Sequence, residues 1–241
     1  MPLTIAIVGC GRLGTALAGA LRETGHAVVG PLGRGADAAG ADVALLCVPD
    51  AAIADAAASV APGVLLGHCS GATGLDVLGP RGGFALHPLM TVTPRGARFA
   101  GAGCAVAGST PAALEQACAL ASELRMHPFE VADADRALYH AAASIASNFL
   151  VTLEGAAERL ATEAGVPRSA LAPLVHAAVD NWAAVGAEAA LTGPIARGDE
   201  ATVTRQREAV AEHAEDLLPL FDALADATRA LAGRAPVGAP S

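Results

Sequence analysis

The chain has 241 residues, 53% hydrophobic and 16% charged, with 15 basic residues against 24 acidic ones and a net charge of −9. That length allows one large domain or two modest ones. The apolar share excludes a disordered chain, and the negative field excludes a general nucleic-acid or anionic-membrane partner. In chain order, Leu3–Val8 is a continuous β-rich run of the kind buried on both faces of a sheet. Arg12–Thr24 has helical periodicity and stops at Gly25. Further strands are expected at Ala27–Gly30, Asp42–Val48, Gly63–Gly67, Gly83–His87 and Cys104–Ala107. Pro111–Leu124 reads as a helix with proline in its first turn, and His127–Val131 as an edge strand.

The β-α-β alternation predicts an α/β fold: a Rossmann-type, doubly wound parallel sheet over residues 1–132, with helices on both faces. From 133 to 232 the pattern is helical throughout. One long helix is expected over Asp135–Gly165, a second from Pro167 to about Leu191, and a third over Glu200–Leu231, kinked at Pro219. The Gly/Pro/Ala-rich segment 233–241 reads as a flexible tail.

All 15 basic residues are arginine, which excludes Schiff-base chemistry, pyridoxal-phosphate anchoring and a P-loop lysine. The five cysteines (Cys10, Cys47, Cys69, Cys104 and Cys118) lack the spacing of a zinc site, so no metal is expected. Scattered thiols, no basic leader region and no uninterrupted apolar run point to a cytoplasmic protein without a membrane span.

Gly9-Cys10-Gly11-Arg12-Leu13-Gly14 fits G-x-G-x-x-G between a predicted strand and a predicted helix, the context a dinucleotide fingerprint requires. Gly9 permits the tight turn, Gly11 the approach of a pyrophosphate, and Gly14 close helix–strand packing. The helix N-terminus offers free N–H groups to phosphates, and Arg12 stands beside them. An NAD site has an acidic residue after the second strand; here the loop is Gly33-Arg34-Gly35, and Arg34 can pair with a 2′-phosphate. NADP is therefore the expected cofactor, ahead of NAD or F420, with Asp37 as the competing signal. Val48 and Pro49 after the third strand and Ser70 after the fourth fall at the carboxyl edge, where ligands bind.

His87 ends the fifth strand at the same edge and is a candidate general acid or substrate-orienting group. His140, Ser144 and Asn148 recur at i, i+4 and i+8, one polar stripe along the first long helix. Arg197 in the loop Leu191–Asp199 is a candidate carboxylate clamp. Thr192 lies beside it, and Asp199 either supports Arg197 or caps the next helix.

Gly9–Gly14, Leu45–Asp50, Leu86–Leu89, Tyr139–Asn148 and Leu191–Asp199 together resemble the Rossmann-like proteins with a DUF2520 C-terminal domain. That group is similar to the 6-phosphogluconate and β-hydroxyacid dehydrogenase superfamily, which includes ketopantoate and pyrroline-carboxylate reductases. The resemblance implies a nucleotide domain, a helical substrate and dimerisation domain, and a homodimer. Many relatives start a K-x-x-x-N stripe with a catalytic lysine; here His140 stands in the equivalent stripe and would donate the proton. His87-Pro88 is similar to the HP motif of prephenate dehydrogenase, with Ser70 as its partner. The expected function is NADPH-dependent reduction of a small 2-oxo acid or imine, ketopantoate being the first candidate. The alternatives are a prephenate-type dehydrogenase using His87 and a non-catalytic NADP(H)-binding redox sensor.

Overall fold

The computed structural model describes residues 2–94 and 96–233, so all but the first residue of the expected tail lies outside the described residues. The chain forms two compact units, Met1–Asn148 and Phe149–Ser241.

The first unit holds β1 (Thr4–Val8), α1 (Arg12–Glu23), β2 (Ala27–Leu32), β3 (Val43–Leu46), α2 (Ile53–Ser59), β4 (Leu65–His68), β5 (Phe84–Leu89), β6 (Gly103–Gly108), α3 (Pro111–Glu123), β7 (His127–Glu130) and α4 (Arg136–Ser144). The sheet order is β2-β1-β3-β4-β5-β6-β7. Alternation along β1 sends Ile5 and Ile7 into a core with Leu17, Leu21, Ala117 and Leu120 from α1 and α3. Ala6 and Val8 enter a second core with Ile53 and Ala57 of α2. Both faces of the sheet are thus covered, which is why β1 reads as a continuous apolar run.

One strand departs from the expected parallel order: β6 runs antiparallel to β5, with His87 opposite Ala105. A parallel return needs a crossover element. Among the described residues no helix lies between Leu89 and Gly103, where Thr93 and Gly96 instead exchange backbone hydrogen bonds. α3 supplies the crossover for β7, which is again parallel to β6. The short helix α2 was not anticipated, because a stretch of alanines shows little hydrophobic period.

The secondary structure turns helical after β7, but the boundary between the two units falls after α4. Arg136, 1% exposed, roots α4 in the first unit: its Nε donates to Asp133 Oδ1 at 2.9 Å, and Asp133 Oδ2 accepts from the Leu75 N–H at 3.1 Å. The expected single helix over Asp135–Gly165 is three pieces: α4, a π-helical turn Ile145–Phe149, and α5 (Leu150–Glu163).

The second unit continues with α6 (Arg168–Val185), α7 (Ala187–Ala190), α8 (Glu200–His213) and α9 (Leu218–Ala232). Gly186, in the left-handed region at φ 82°, separates α6 from α7. The expected kink at Pro219 is a full break at Ala214, and Pro219 sits in the first turn of α9, where its missing N–H costs nothing. Arg159–Asp216 and Arg207–Asp222 are two-bonded pairs at 2.8–3.0 Å, and Arg229 holds Glu200 at 2.7 and 3.1 Å. These pairs are exposed and screened by solvent, so they align the helices more than they stabilise them. Val203, Val210, Ala214 and Ala225 are the unit's buried side chains among the described residues, a thin core for its size.

Candidate active site

Two clefts of the first unit are lined by residues singled out in the sequence. One, of about 570 Å³, lies over the ends of β1, β2 and β3. Gly9, Cys10, Arg34, Val48 and Pro49 line it, and α2 adds Asp55 and Ser59, which sequence reasoning missed. Gly11 is the N-cap of α1, with extended backbone and no side-chain cap, so the first N–H groups of a 12-residue helix are free of one.

The three glycines differ in what a side chain would meet. A Cβ on Gly9 would collide with the Cys47 carbonyl, and one on Gly14 with the Gly9 carbonyl oxygen. A Cβ on Gly11 would meet nothing within 4 Å. Gly9 and Gly14 are therefore demanded by the fold, whereas Gly11 leaves open space above the loop.

Arg12 is exposed in the first turn of α1, but Leu13 packs against the core beneath. Asp37 accepts from the Ala39 N–H at 3.1 Å and so serves its own turn, whereas Arg34 lines the cleft. Ser70 is likewise engaged. Its hydroxyl accepts from the N–H groups of Ala72 and Thr73 and donates to Thr73 Oγ1 at 2.9 Å, which uses its hydrogen-bonding capacity inside a turn.

The second cleft, of about 460 Å³, is lined by His87 of β5 together with Tyr139, His140, Ser144 and Asn148. The stripe read from the sequence thus faces one cavity, although the π-helical turn changes the helical phase between Ser144 and Asn148. His87 Nδ1 and the Tyr139 hydroxyl are 2.7 Å apart, and the two rings meet edge to face at 5.6 Å. The His87 and His140 ring centres are 6.3 Å apart. Both imidazoles lie over Gly71, where a Cβ would come within 2.7 Å of His87 and 2.9 Å of His140.

His140 is exposed and has no described hydrogen bond, whereas His87 is half-buried and held. Burial first, then the neighbouring His140 and Arg136, push the His87 pKa down to about 4. Burial and Arg136 also push His68 down to about 4. Burial raises Tyr139 to about 12, against the opposing pull of Arg136. At neutral pH the group therefore holds neutral His68 and His87 and a protonated phenol.

Arg136 is the residue the sequence reading overlooked entirely. Its Nη1 and Nη2 are buried without a hydrogen-bond partner among the described residues. The available signal was spacing: Arg136, Tyr139 and His140 stand at i, i+3 and i+4, one face of α4.

In the second unit the loop before α8 is exposed at Arg197 and Asp199, with Thr192 at its start. Asp199 caps α8, accepting from the Thr202 N–H at 3.1 Å, and the Thr202 side chain and N–H together hold its carboxyl below the usual range. Of the two roles considered for it, the structure shows the cap.

A doubly wound nucleotide-type sheet with a glycine turn at its carboxyl edge, followed by a helical unit, defines the class: a Rossmann-like protein with an α-helical C-terminal part. Residues 102–228, over half of the chain, match the family model described as domain of unknown function DUF2520, and the chain belongs to that family. No curated protein matches the sequence. Among solved structures, one from Bacteroides fragilis, described as a candidate NADP oxidoreductase, is 20% identical over 95% of this chain and 98% of that one, with a TM-score of 0.81. A reductive aminase from Aspergillus terreus in complex with NADPH and ethyl-5-oxohexanoate is 18% identical over 98% and 96%, TM-score 0.67. The 1-pyrroline-5-carboxylate reductase of Streptococcus pyogenes is 13% identical over 95% and 99%, TM-score 0.58. At these identities the likeness establishes a shared fold. Among the described residues no helix is long and apolar enough to cross a membrane.

Proposed function

We propose that the protein is an NADP-dependent oxidoreductase that reduces a small carbonyl or imine compound. The observation that carries the cofactor is Gly11: the protein's own packing leaves its Cβ position open, at the helix N-terminus where a pyrophosphate would approach. Gly9, Cys10, Gly11 and Arg12 would hold the pyrophosphate, Arg34 the 2′-phosphate, and Val48 and Pro49 the cleft wall. When bound, NADPH supplies hydride to the substrate. That several neighbours of the same fold are described with NADPH, as imine reductases or as pyrroline-carboxylate reductase supports the reading.

The cleft around His87, Tyr139 and His140 supplies the proton and, through Ser144 and Asn148, orients the substrate. Sequence reasoning assigned the proton to His140. On the second unit, Arg197 is the candidate clamp for a substrate carboxylate, with Thr192 in the same loop. Ketopantoate is the first substrate to try, followed by pyrroline carboxylates. A second reading, oxidation of a cyclic hydroxy acid centred on His87, is favoured by the fixed His87–Tyr139 contact and is tested with the same assay run in reverse with NADP.

Calorimetric titration with NADPH and NADH tests the cofactor. Arg34→Ala is expected to weaken NADPH by roughly 10–100-fold, the loss of one charge-assisted contact, and to leave NADH unchanged. Equal loss for both nucleotides would remove Arg34 as the phosphate reader. NADPH binding with no turnover on any carbonyl or imine would favour the sensor alternative.

A homodimer belongs to the same proposal. The thin core of the second unit leaves Val151, Leu174, Trp182 and Val185 more than half exposed, and pairing across a two-fold axis would cover such side chains. Light scattering at micromolar concentration is expected to give twice the chain mass; a clean monomer would overturn the dimer. The free, scattered thiols fit action in the cytoplasm.

A further inference from the structure

The geometry points to Tyr139, rather than either histidine, as the residue that hands the proton to the substrate, with His87 as its proton supply; this rests on the reductase reading above. Three observations converge on the phenol. First, Tyr139 lines the same cleft as His140 but is the one of the two held in place, its Oη 2.7 Å from His87 Nδ1. His140 is exposed and has only an edge contact with His87. A donor must be positioned on the atom it protonates, and a free surface imidazole is not.

Second, the imidazole behind the phenol stays neutral across the physiological range. A neutral imidazole carries one proton and one lone pair on opposite nitrogens, so it relays without ever holding a net charge. With Nδ1–H donated to Tyr139 Oη, the phenol O–H is left free for the cleft.

Third, the anion left by proton donation is a phenolate, and a buried cation stands one helical turn away. Arg136 shares a face of α4 with Tyr139, and its Nη1 and Nη2 have no partner among the described residues. Its charge already opposes the upward shift that burial imposes on the phenol. The groups facing Tyr139 are His87 from β5, Cys104 from β6, Phe129 from β7, and Arg136 on its own helix. None of them is a carboxylate; Cys104 adds to the upward push on the phenol, but its own thiol is pushed up to about 12 and stays protonated at neutral pH.

As the substrate carbon is reduced, its oxygen or nitrogen forms a bond to the Tyr139 proton and the Tyr139 O–H bond breaks. In concert, the phenolate takes the His87 Nδ1 proton and Nε2 takes one from a cleft water, whose hydroxide is neutralised by a solvent proton; His87 is left as the neutral Nε2–H tautomer and regains its Nδ1 proton by exchange with solvent before the next turnover. A substrate proton from solvent is the net consumption.

The test exploits a feature of the composition: Tyr139 is the only tyrosine in the chain. Its ionisation is therefore read directly from the phenolate absorbance of the free protein, without substrate or nucleotide. The wild type is expected to titrate near 12, and Arg136→Met higher still. Titration at the ordinary tyrosine value of about 10 in both would overturn the buried, cation-flanked phenol.

The kinetic arm uses ketopantoate and 1-pyrroline-5-carboxylate with NADPH. Tyr139→Phe, which keeps the ring packing, is expected to lower kcat by roughly 10²–10⁴-fold with unchanged NADPH binding, and His140→Ala by less than about 10-fold. With a phenol donor, kcat stays level from weakly acidic to weakly alkaline pH; with an imidazolium donor it falls as pH rises through neutrality. Wild-type turnover retained in Tyr139→Phe, or a kcat that falls through neutrality, overturns the donor and leaves the reductase. A wild type that binds NADPH and turns over neither these nor any other carbonyl or imine of a substrate panel overturns both.

Discussion

Gly14→Ala is expected to destabilise the protein by about 3 kcal/mol or more, whereas Gly11→Ala, three residues away, leaves stability within about 1 kcal/mol and abolishes tight NADPH binding. The two changes add the same methyl group. At position 14 it would drive into the Gly9 carbonyl and within 3.2 Å of the Cys47 side chain, so backbone must move. Backbone cannot yield as a flexible side chain can, and the loss of about 3 kcal/mol corresponds to a melting temperature roughly 6–12 °C lower for a chain of this size. At position 11 the methyl meets no protein atom, at an ordinary φ of −74°. Its only collision is with a ligand on the loop, and NADPH affinity should fall at least about tenfold. Thermal unfolding and calorimetry on both variants separate the two roles. A Gly11→Ala protein that binds NADPH like the wild type would remove the dinucleotide from this loop.

The second large effect is acid destabilisation above the range in which carboxylates titrate. His68 is fully buried and His87 half-buried, and each has its folded pKa near 4 against 6.5 in an exposed chain. Between those values the unfolded chain binds protons that the folded chain refuses, so stability rises with pH across this window and is lost as pH falls through it. Their contribution is complete above pH ~6.5 and gone below pH ~4. At 1.36 kcal/mol per unit, His68 alone accounts for about 3 kcal/mol, with a smaller share from the partly exposed His87. Asp133 and Asp199 have lowered pKa values and act in the same direction, but in the lower carboxylate range. Denaturant midpoints at pH 7.5, 5.5 and 4.5 should fall steeply, and His68→Gln should flatten the fall. A level profile between pH 7 and 5 would show that the imidazoles are not buried as described.

How far the sequence was legible depends on the range of the physics involved. The seven strands and the helices α1 and α3 were each found within a few residues, because burial on both sheet faces writes continuous apolar runs and helix stripes into local sequence. α2 left no such trace. The direction of β6 was also invisible, since strand polarity depends on what connects the strands, and the connection here is an irregular loop. The long helix of the second half read as uniform because alanine-rich sequence continues through the π-helical turn at Ile145–Phe149.

The candidate site divides along the same line. The glycine turn and Arg34 were readable, since a motif between a strand and a helix carries its own context. The stripe His140-Ser144-Asn148 was found by spacing, and it does line one cavity. Ser70 looked like a ligand contact from its place at a strand end, but only the folded chain shows its hydroxyl closed into a turn. Asp37 competed with Arg34 until its carboxylate was seen bonded within its own turn.

By itself the sequence determined the fold class, the family and the position of the glycine turn between β1 and α1. Each rests on periodicity or on a short contiguous motif, and neighbours along the chain are enough to express those. Tertiary structure decided which glycines the packing demands and which one leaves open space, that His87 is clasped by Tyr139 from 52 residues away, and that a buried Arg136 stands beside them. Burial, hydrogen-bond partnership and the pKa values they impose are set by groups far apart in sequence. They exist only once the sheet has brought β5 and α4 to one edge.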